Sequence, residues 1–161
     1  MKNLVLISSF VFLVLNCTSS RIAGDYSFRT ELLSIESEGA CLVRAWGTGK
    51  DRKEAQKNAM KNAVSDIVFR VLVQGNDQNL IKPLAVGVNA RVKHADYFDS
   101  FFQDNGDYLD FVSADRDMIN QTSNRIILRS TRGISIGLVL SVNKSALKNK
   151  LISDEIIKVH S

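Results

Sequence analysis

The sequence predicts an α+β domain in which an antiparallel β-sheet is covered by one long alanine-rich helix and one or two further helices. A β-rich run at residues 40–48 lies between two glycines, and small apolar residues repeat at helical spacing across residues 51–73. Two more β-rich segments, 124–130 and 134–142, are separated by a short turn that contains Gly133. Strands and an amphipathic helix of this kind bury their apolar faces against each other.

Composition bounds the class of protein. Of the 161 residues, 45% are hydrophobic, 24% are charged, nine are glycine and one is proline. These proportions are ordinary for a globular protein and exclude collagen-like, low-complexity and polytopic membrane chains. The net charge of +4 is too small to indicate a nucleic-acid partner.

Residues 1–16 predict an export signal in front of the fold. Lys2 precedes an apolar run at residues 4–15 that only a pair of serines interrupts, and small polar residues follow. The run is shorter than the ~20 apolar residues that a membrane-spanning helix needs. A buried core helix would carry polar residues at helical spacing, which this run lacks. We therefore expect an exported protein with one domain at residues 26–161.

The position of Cys17, two residues after the apolar run, predicts lipid modification. The run Val14-Leu15-Asn16-Cys17 resembles the lipobox of bacterial lipoproteins, whose cysteine takes a diacylglyceryl group and becomes the new N-terminus. Val14 and Asn16 depart from the residues that the family prefers at those places. The alternative is cleavage a few residues later, which gives a soluble periplasmic protein. The resemblance implies lipidation at Cys17, a tether at residues 17–25, and a place in the outer membrane on its periplasmic side.

The first strands lie ahead of the long helix. Residues 30–37 fit either a strand or a helix, whereas residues 40–48 are rich in β-formers and bounded by Gly39 and Gly49. Cys41 belongs to this second strand. Once Cys17 is acylated, Cys41 has no partner for a disulfide, and its apolar neighbours predict a buried thiol.

The long helix is predicted at residues 51–73. Asp51 can cap its first turn, Glu54 completes a capping box, and the glycine at position 75 ends the helix. Small side chains on the apolar face let the helix axis approach the sheet closely. That face is expected to comprise Ala55, Ala59, Ala63 and Ile67. The opposite face is expected to comprise Lys53, Lys57, Lys61 and Asp66.

The remaining elements are a second helix at residues 89–103, the hairpin, and a closing helix at residues 146–152. The second helix carries aromatic side chains on one face, which predict core packing rather than a ligand site because aromatic burial is strongly stabilising. This aromatic cluster comprises Tyr97, Phe98, Phe101, Phe102, Tyr108 and Phe111. In the closing helix, Leu147 and Leu151 lie one turn apart.

Motifs of catalysis and metal binding are absent from the sequence, so no catalytic residue, metal or cofactor is predicted. Three weaker patterns remain as alternatives. Cys41 and His94 could form a nucleophile and base, and the aspartates between positions 104 and 115 could form an acidic site. The run at residues 47–49 could bind an anion at a helix N-terminus, although a turn and cap explain it better.

The run at residues 43–49 (VRAWGTG), followed by a helix that steps in alanines, resembles the lipoprotein-20 family and the N-terminal domain of the flagellar T-ring assembly protein. The resemblance covers residues 39–73 and, more loosely, 134–151, where Ile136, Leu138, Leu140 and Val142 lead into the closing helix. Residues 74–121 have no counterpart. The resemblance implies an α+β domain on an envelope-anchored protein without known enzymatic residues.

These observations predict a non-catalytic, lipid-anchored protein of the bacterial cell envelope that serves as a binding, assembly or structural component. Its expected partners are the membrane, through the N-terminal lipid, and another envelope protein, but no nucleic acid. The alternatives are a small periplasmic enzyme that uses Cys41 or the aspartates, and a carrier with an apolar pocket under the aromatic cluster.

Overall fold

A computed structural model describes residues 29–36, 39–75, 79–87, 89–114, 125–130 and 133–158 of the chain. The predicted signal at residues 1–16, the lipidation site Cys17 and the tether at residues 17–25 lie outside the described residues. Within them the predicted class is confirmed, because an antiparallel sheet carries helices on its surface. None of the helices in this part is long and apolar enough to cross a membrane.

The central sheet is built on one long antiparallel ladder between strand β2 (Ala40–Gly49) and strand β7 (Gly133–Asn143). Its ten pairs run from Ala40↔Asn143 to Gly49↔Ile134. Strand β1 (Glu31–Ile35) pairs with the other edge of β2. Strands β5 (Val112–Ser113) and β6 (Arg125–Ser130) pair with the other edge of β7, one at each of its ends. The five strands are β1 (Glu31–Ile35), β2 (Ala40–Gly49), β5 (Val112–Ser113), β6 (Arg125–Ser130) and β7 (Gly133–Asn143). A small hairpin forms a second sheet from β3 (Leu72–Val73) and β4 (Leu80–Ile81).

Helix α1 (Arg52–Phe69) lies directly on β2, and glycines make this approach possible. A Cβ atom on Gly47 would overlap the carbonyl oxygen of Ala55 and the amide nitrogen of Ala59. The alanine stripe faces the sheet, and Ala55, Ala59 and Ala63 are fully buried. The predicted face of the long helix is therefore confirmed, and its close contact with the strand depends on residues without side-chain bulk on both sides.

The start of α1 is as predicted, but its end is not. Asp51 accepts a hydrogen bond from the Glu54 amide at 2.9 Å, and the Glu54 carboxylate accepts one from the Lys50 amide at 2.7 Å. The helix ends at Phe69 rather than near residue 73. Arg70 is extended, and Leu72 instead pairs with Ile81 in the small hairpin, so strand pairing replaces the last predicted turn.

The predicted opposite face of α1 is partly covered in the structure, because Lys57, Lys61 and Asp66 are all partly buried. The Lys57 ammonium lies 3.2 Å from a carboxylate oxygen of Asp104, and the Lys61 ammonium lies 5.9 Å from the centre of the Tyr108 ring. Both are partly covered because the segment that contains Asp104 and Tyr108 packs along this side of the helix. Lys53, in the first turn, is exposed as expected.

The single helix predicted at residues 89–103 is divided into α2 (Ala90–Lys93) and α3 (Ala95–Phe101). His94 interrupts it with non-helical backbone angles (φ −121°, ψ 41°). A 3₁₀ helix at Asp107–Phe111, which the sequence did not predict, follows. The closing helix α4 (Lys144–Ser153) begins slightly earlier than expected, and Asn143 caps it by accepting a hydrogen bond from the Ala146 amide at 2.9 Å.

Replacing Ala59 with Leu should lower the free energy of unfolding by ~1–3 kcal/mol, because the added side chain has no space between α1 and β2. Chemical denaturation of the purified protein measures this change. The matched control is Lys53→Ala on the exposed face of the same helix, which should change stability by less than ~0.5 kcal/mol. Equal stability of Ala59→Leu and the parent protein would contradict the assignment of this face to the core.

Candidate functional site

Cys41 is a core residue of β2. Its side chain is buried in the sheet core, and it pairs with Val142 of β7. Burial raises the pKa of the thiol, which disfavours the thiolate that a nucleophile needs. His94 instead lines a surface groove together with Ile156 and Ile157. The structure therefore does not assemble the Cys41–His94 pair into a site.

The aspartates near position 104 do not converge. Asp104 and Asp107 are exposed and face different lysines, at 3.2 Å from Lys57 and 3.8 Å from Lys150. Asp110 is exposed as well, and Asp115 lies outside the described residues. In the part of the chain that the structure describes, no group of three His, Cys, Asp or Glu side chains is placed to hold a metal ion.

The glycine run at residues 47–49 serves the contact between α1 and β2. The first turn of α1 is already capped by Asp51, and the Glu54 carboxylate accepts a hydrogen bond from the adjoining Lys50 amide. Both groups are negatively charged and would repel a phosphate. The turn-and-cap interpretation of this motif therefore fits the structure better than an anion site.

The aromatic cluster fills the space between α1, α3 and the 3₁₀ helix. Phe98, Phe101, Phe102 and Tyr108 are buried. Phe69 of α1, which the sequence interpretation left out, joins them with its ring centre 4.7 Å from that of Phe98. The rings contact one another edge-on, stacked or tilted, with centres 4.7 to 6.5 Å apart. The predicted core role is confirmed for the four buried side chains, whereas Tyr97 and Phe111 are partly buried and pack against the core.

A polar clamp ties α3 to the end of α4. The Tyr97 hydroxyl donates a hydrogen bond to Asp154 at 2.6 Å, and the Lys150 ammonium lies 2.8 Å from the same carboxylate oxygen. The hydrogen bonds from Lys150 and Tyr97 lower the pKa of Asp154. Burial, followed by the hydrogen bond to Asp154, raises the pKa of Tyr97. The charges of this clamp are mutually satisfied, which suits a structural link between two helices.

The clearest candidate for an interaction surface is the region just after α1. Val73 pairs with Leu80, and the buried Leu72 pairs with Ile81, so the hairpin presents Val73 and Leu80 to solvent. Val86 and Val92 are still more exposed, at 72% and 73%. We name this region the α1-end surface. It consists of Val71, Val73, Leu80, Val86 and Val92.

A groove of about 300 Å³ adjoins the α1-end surface at Val86. Its apolar lining is supplied mainly by Leu84, Ala85, Val86, Ala90, Ile156 and Ile157. Three basic side chains also line it, namely Lys93, His94 and Lys158. Sequence reasoning missed the groove because its two walls are about 70 residues apart in the chain and neither carries a motif.

The last turn of α1 binds the segments that carry the groove and the α1-end surface. The amides of Leu84 and Ala85 donate to the carbonyl oxygens of Ile67 and Val68 at 3.3 and 2.9 Å. The Arg91 guanidinium lies 6.0 Å from the centre of the Phe69 ring, within the range of a cation–π contact. The segment at residues 79–94 is thus attached to the last turn of the helix.

Replacing Tyr97 with Phe should lower the free energy of unfolding by about 1–2 kcal/mol near neutral pH, because the hydrogen bond to a charged carboxylate is lost. Since the folded-state pKa of Asp154 is lowered, its stabilising effect is present above the ordinary carboxyl pKa and is lost as the pH falls through the folded-state value. The difference between the two proteins should therefore shrink in denaturation curves recorded below about pH 4.

Tyr108→Phe is the matched control for the removal of a tyrosine hydroxyl. The Tyr108 hydroxyl is buried and has no hydrogen-bond partner among the described residues, so its removal should leave stability unchanged or raise it. If Tyr97→Phe were as stable as Tyr108→Phe at neutral pH, the clamp would contribute nothing to the fold.

Comparison with known proteins adds no relative. The chain matches no protein-family model, no curated protein and no solved structure. The resemblance to the lipoprotein-20 family and to the T-ring assembly protein therefore stays a prediction from the residues that carry it.

Proposed function

We propose that this protein is a lipid-anchored component of the bacterial cell envelope that acts by binding and assembly and does not catalyse a reaction. The observation that carries the proposal is the apolar run at residues 4–15, which follows Lys2 and ends two residues before Cys17. Acylation there would attach the domain to a membrane, most simply the outer membrane on its periplasmic side. Two or three acyl chains hold a protein stably, whereas one holds it only marginally.

The described domain supports a binding role. Its polar side chains near α3 and α4 are paired in structural contacts, such as the Tyr97–Asp154 hydrogen bond and the Lys57–Asp104 ion pair. The α1-end surface, by contrast, leaves five aliphatic side chains in water. Exposed large aliphatic side chains that come from one stretch of the chain, next to the end of α1, make this region the candidate for an interaction site. The second expected partner, another envelope protein, would use such a surface.

The carrier of an apolar ligand is the second candidate function, and the groove next to Val86 favours it. Its volume of about 300 Å³ is at the lower end of the range for small-molecule sites. The enzyme alternative has less support, since Cys41 is buried and the aspartates near position 104 face separate lysines.

Cys17→Ala tests the anchor. In cells fed radiolabelled palmitate, we expect the parent protein to be labelled and to fractionate with membranes. The variant should carry no label and should either become soluble or keep its signal segment, because acylation precedes cleavage in lipoproteins.

Cys41→Ala is the matched control, because Cys41 is the other of the two cysteines in the chain and is buried in the core. This variant should keep both the label and the membrane association. An unlabelled parent protein that is already soluble would contradict the lipoprotein assignment and favour cleavage at a later site.

A further inference from the structure

We infer that the α1-end surface docks on an anionic phospholipid bilayer, so that the domain lies against the membrane instead of extending away from it. The orientation rests on the proposed lipid anchor at Cys17. The affinity of the surface for lipid rests on the described side chains alone, and the two can be tested separately.

The first argument is the chemistry of the exposed apolar groups. Five of the large hydrophobic side chains that the described residues expose belong to residues 71–92, and all five are valine or leucine. Protein-binding hot spots are enriched in Trp, Tyr and Arg that fill pockets, and Leu and Val are under-represented in them. Segments that lie in the membrane interface bury apolar side chains, Leu among them, and carry Lys and Arg on the polar side.

The second argument is charge. Between residues 67 and 95 the described chain carries Arg70, Lys82, Arg91 and Lys93 and no acidic side chain. In the full sequence this stretch has one acidic residue, Asp77. Asp66 of α1 lies 3.5 Å from Arg70 and offsets part of its charge. Lys93 lines the groove with Lys158, which adds a basic side chain from the end of the chain. Anionic headgroups are the complement of such a surface.

The third argument is the position of the tether. Gln74, which follows β3, donates a hydrogen bond from its side-chain amide to the Leu33 carbonyl at 2.7 Å, so β1 lies against the small hairpin. Twelve peptide links join Cys17 to Arg29, the first described residue, and they span at most about 43 Å. An anchor at Cys17 would thus keep the α1-end surface at high effective concentration near the bilayer.

The test is quenching of tryptophan fluorescence by brominated lipid, with the full-length protein purified from membranes and reconstituted into vesicles. The chain has a single tryptophan, the buried Trp46, which provides a constant background. Val92→Trp places a second indole on the α1-end surface. Lys53→Trp is the matched control, because it is exposed at the other end of α1, about 24 Å from Phe69 along the helix.

In dibrominated phosphatidylcholine vesicles that contain phosphatidylglycerol, we expect the added emission of Val92→Trp to be quenched and shifted to shorter wavelength, and that of Lys53→Trp to be unchanged. Without phosphatidylglycerol, or in high salt, the quenching should weaken because the electrostatic attraction is lost or screened. Adding Lys82→Ser and Lys93→Ser to Val92→Trp should weaken the binding of the surface to anionic vesicles by about fivefold for each charge removed.

Equal behaviour of Val92→Trp and Lys53→Trp would overturn the inference and leave the surface to a protein partner. Quenching that does not depend on phosphatidylglycerol would overturn the part that concerns anionic lipid. Failure of the anchor gives a different result. If palmitate labelling is absent but Val92→Trp is quenched in a phosphatidylglycerol-dependent way, the lipid surface is real and the lipoprotein assignment is wrong.

Discussion

The contact between α1 and β2 at Gly47 is the constraint on which the rest of the structure depends. Because the strand has no side chain at that point, the backbone of the helix rests against the backbone of the strand at Ala55 and Ala59. So close an approach leaves no room for a side chain at this position, because interiors are packed without voids. The last turn of α1, and with it the groove and the α1-end surface, is positioned from this contact.

The same helix also completes the edge of the sheet. β1 pairs with β2 only as far as Arg44, so the next part of β2 has no neighbouring strand from β1. Asn58 and Asn62, one turn apart on α1, donate side-chain hydrogen bonds to the carbonyl oxygens of Thr48 and Trp46 at 2.7 Å. These bonds satisfy two backbone acceptors beyond the end of β1. Helix α1 thus packs its apolar face against the sheet, and its asparagine side chains also form hydrogen bonds with the backbone of β2.

The sequence predicted those features of the fold that depend on neighbours along the chain. The alanine stripe, the Asp51–Glu54 cap and the aromatic face of α3 follow from spacing, and the structure contains each of them. The end of α1 at Phe69 depends on pairing between Leu72 and Ile81, which periodicity does not encode. Likewise, the ion pair between Lys57 and Asp104 joins residues 47 positions apart, which no local pattern brings together. The groove depends on contacts between residues 84–94 and 156–158, beyond the reach of any local pattern.

The long β2–β7 ladder affects when the chain can fold. Ala40 pairs with Asn143, so the central pair of the sheet joins segments about one hundred residues apart. Contacts of such separation form slowly, because a large loop must close before any ladder hydrogen bond is gained. The core of this domain can therefore be completed only after Asn143 has been synthesised. Until that residue has been synthesised, β2 lacks its main partner strand, and the apolar side chains of the central ladder are not yet covered by their final neighbours.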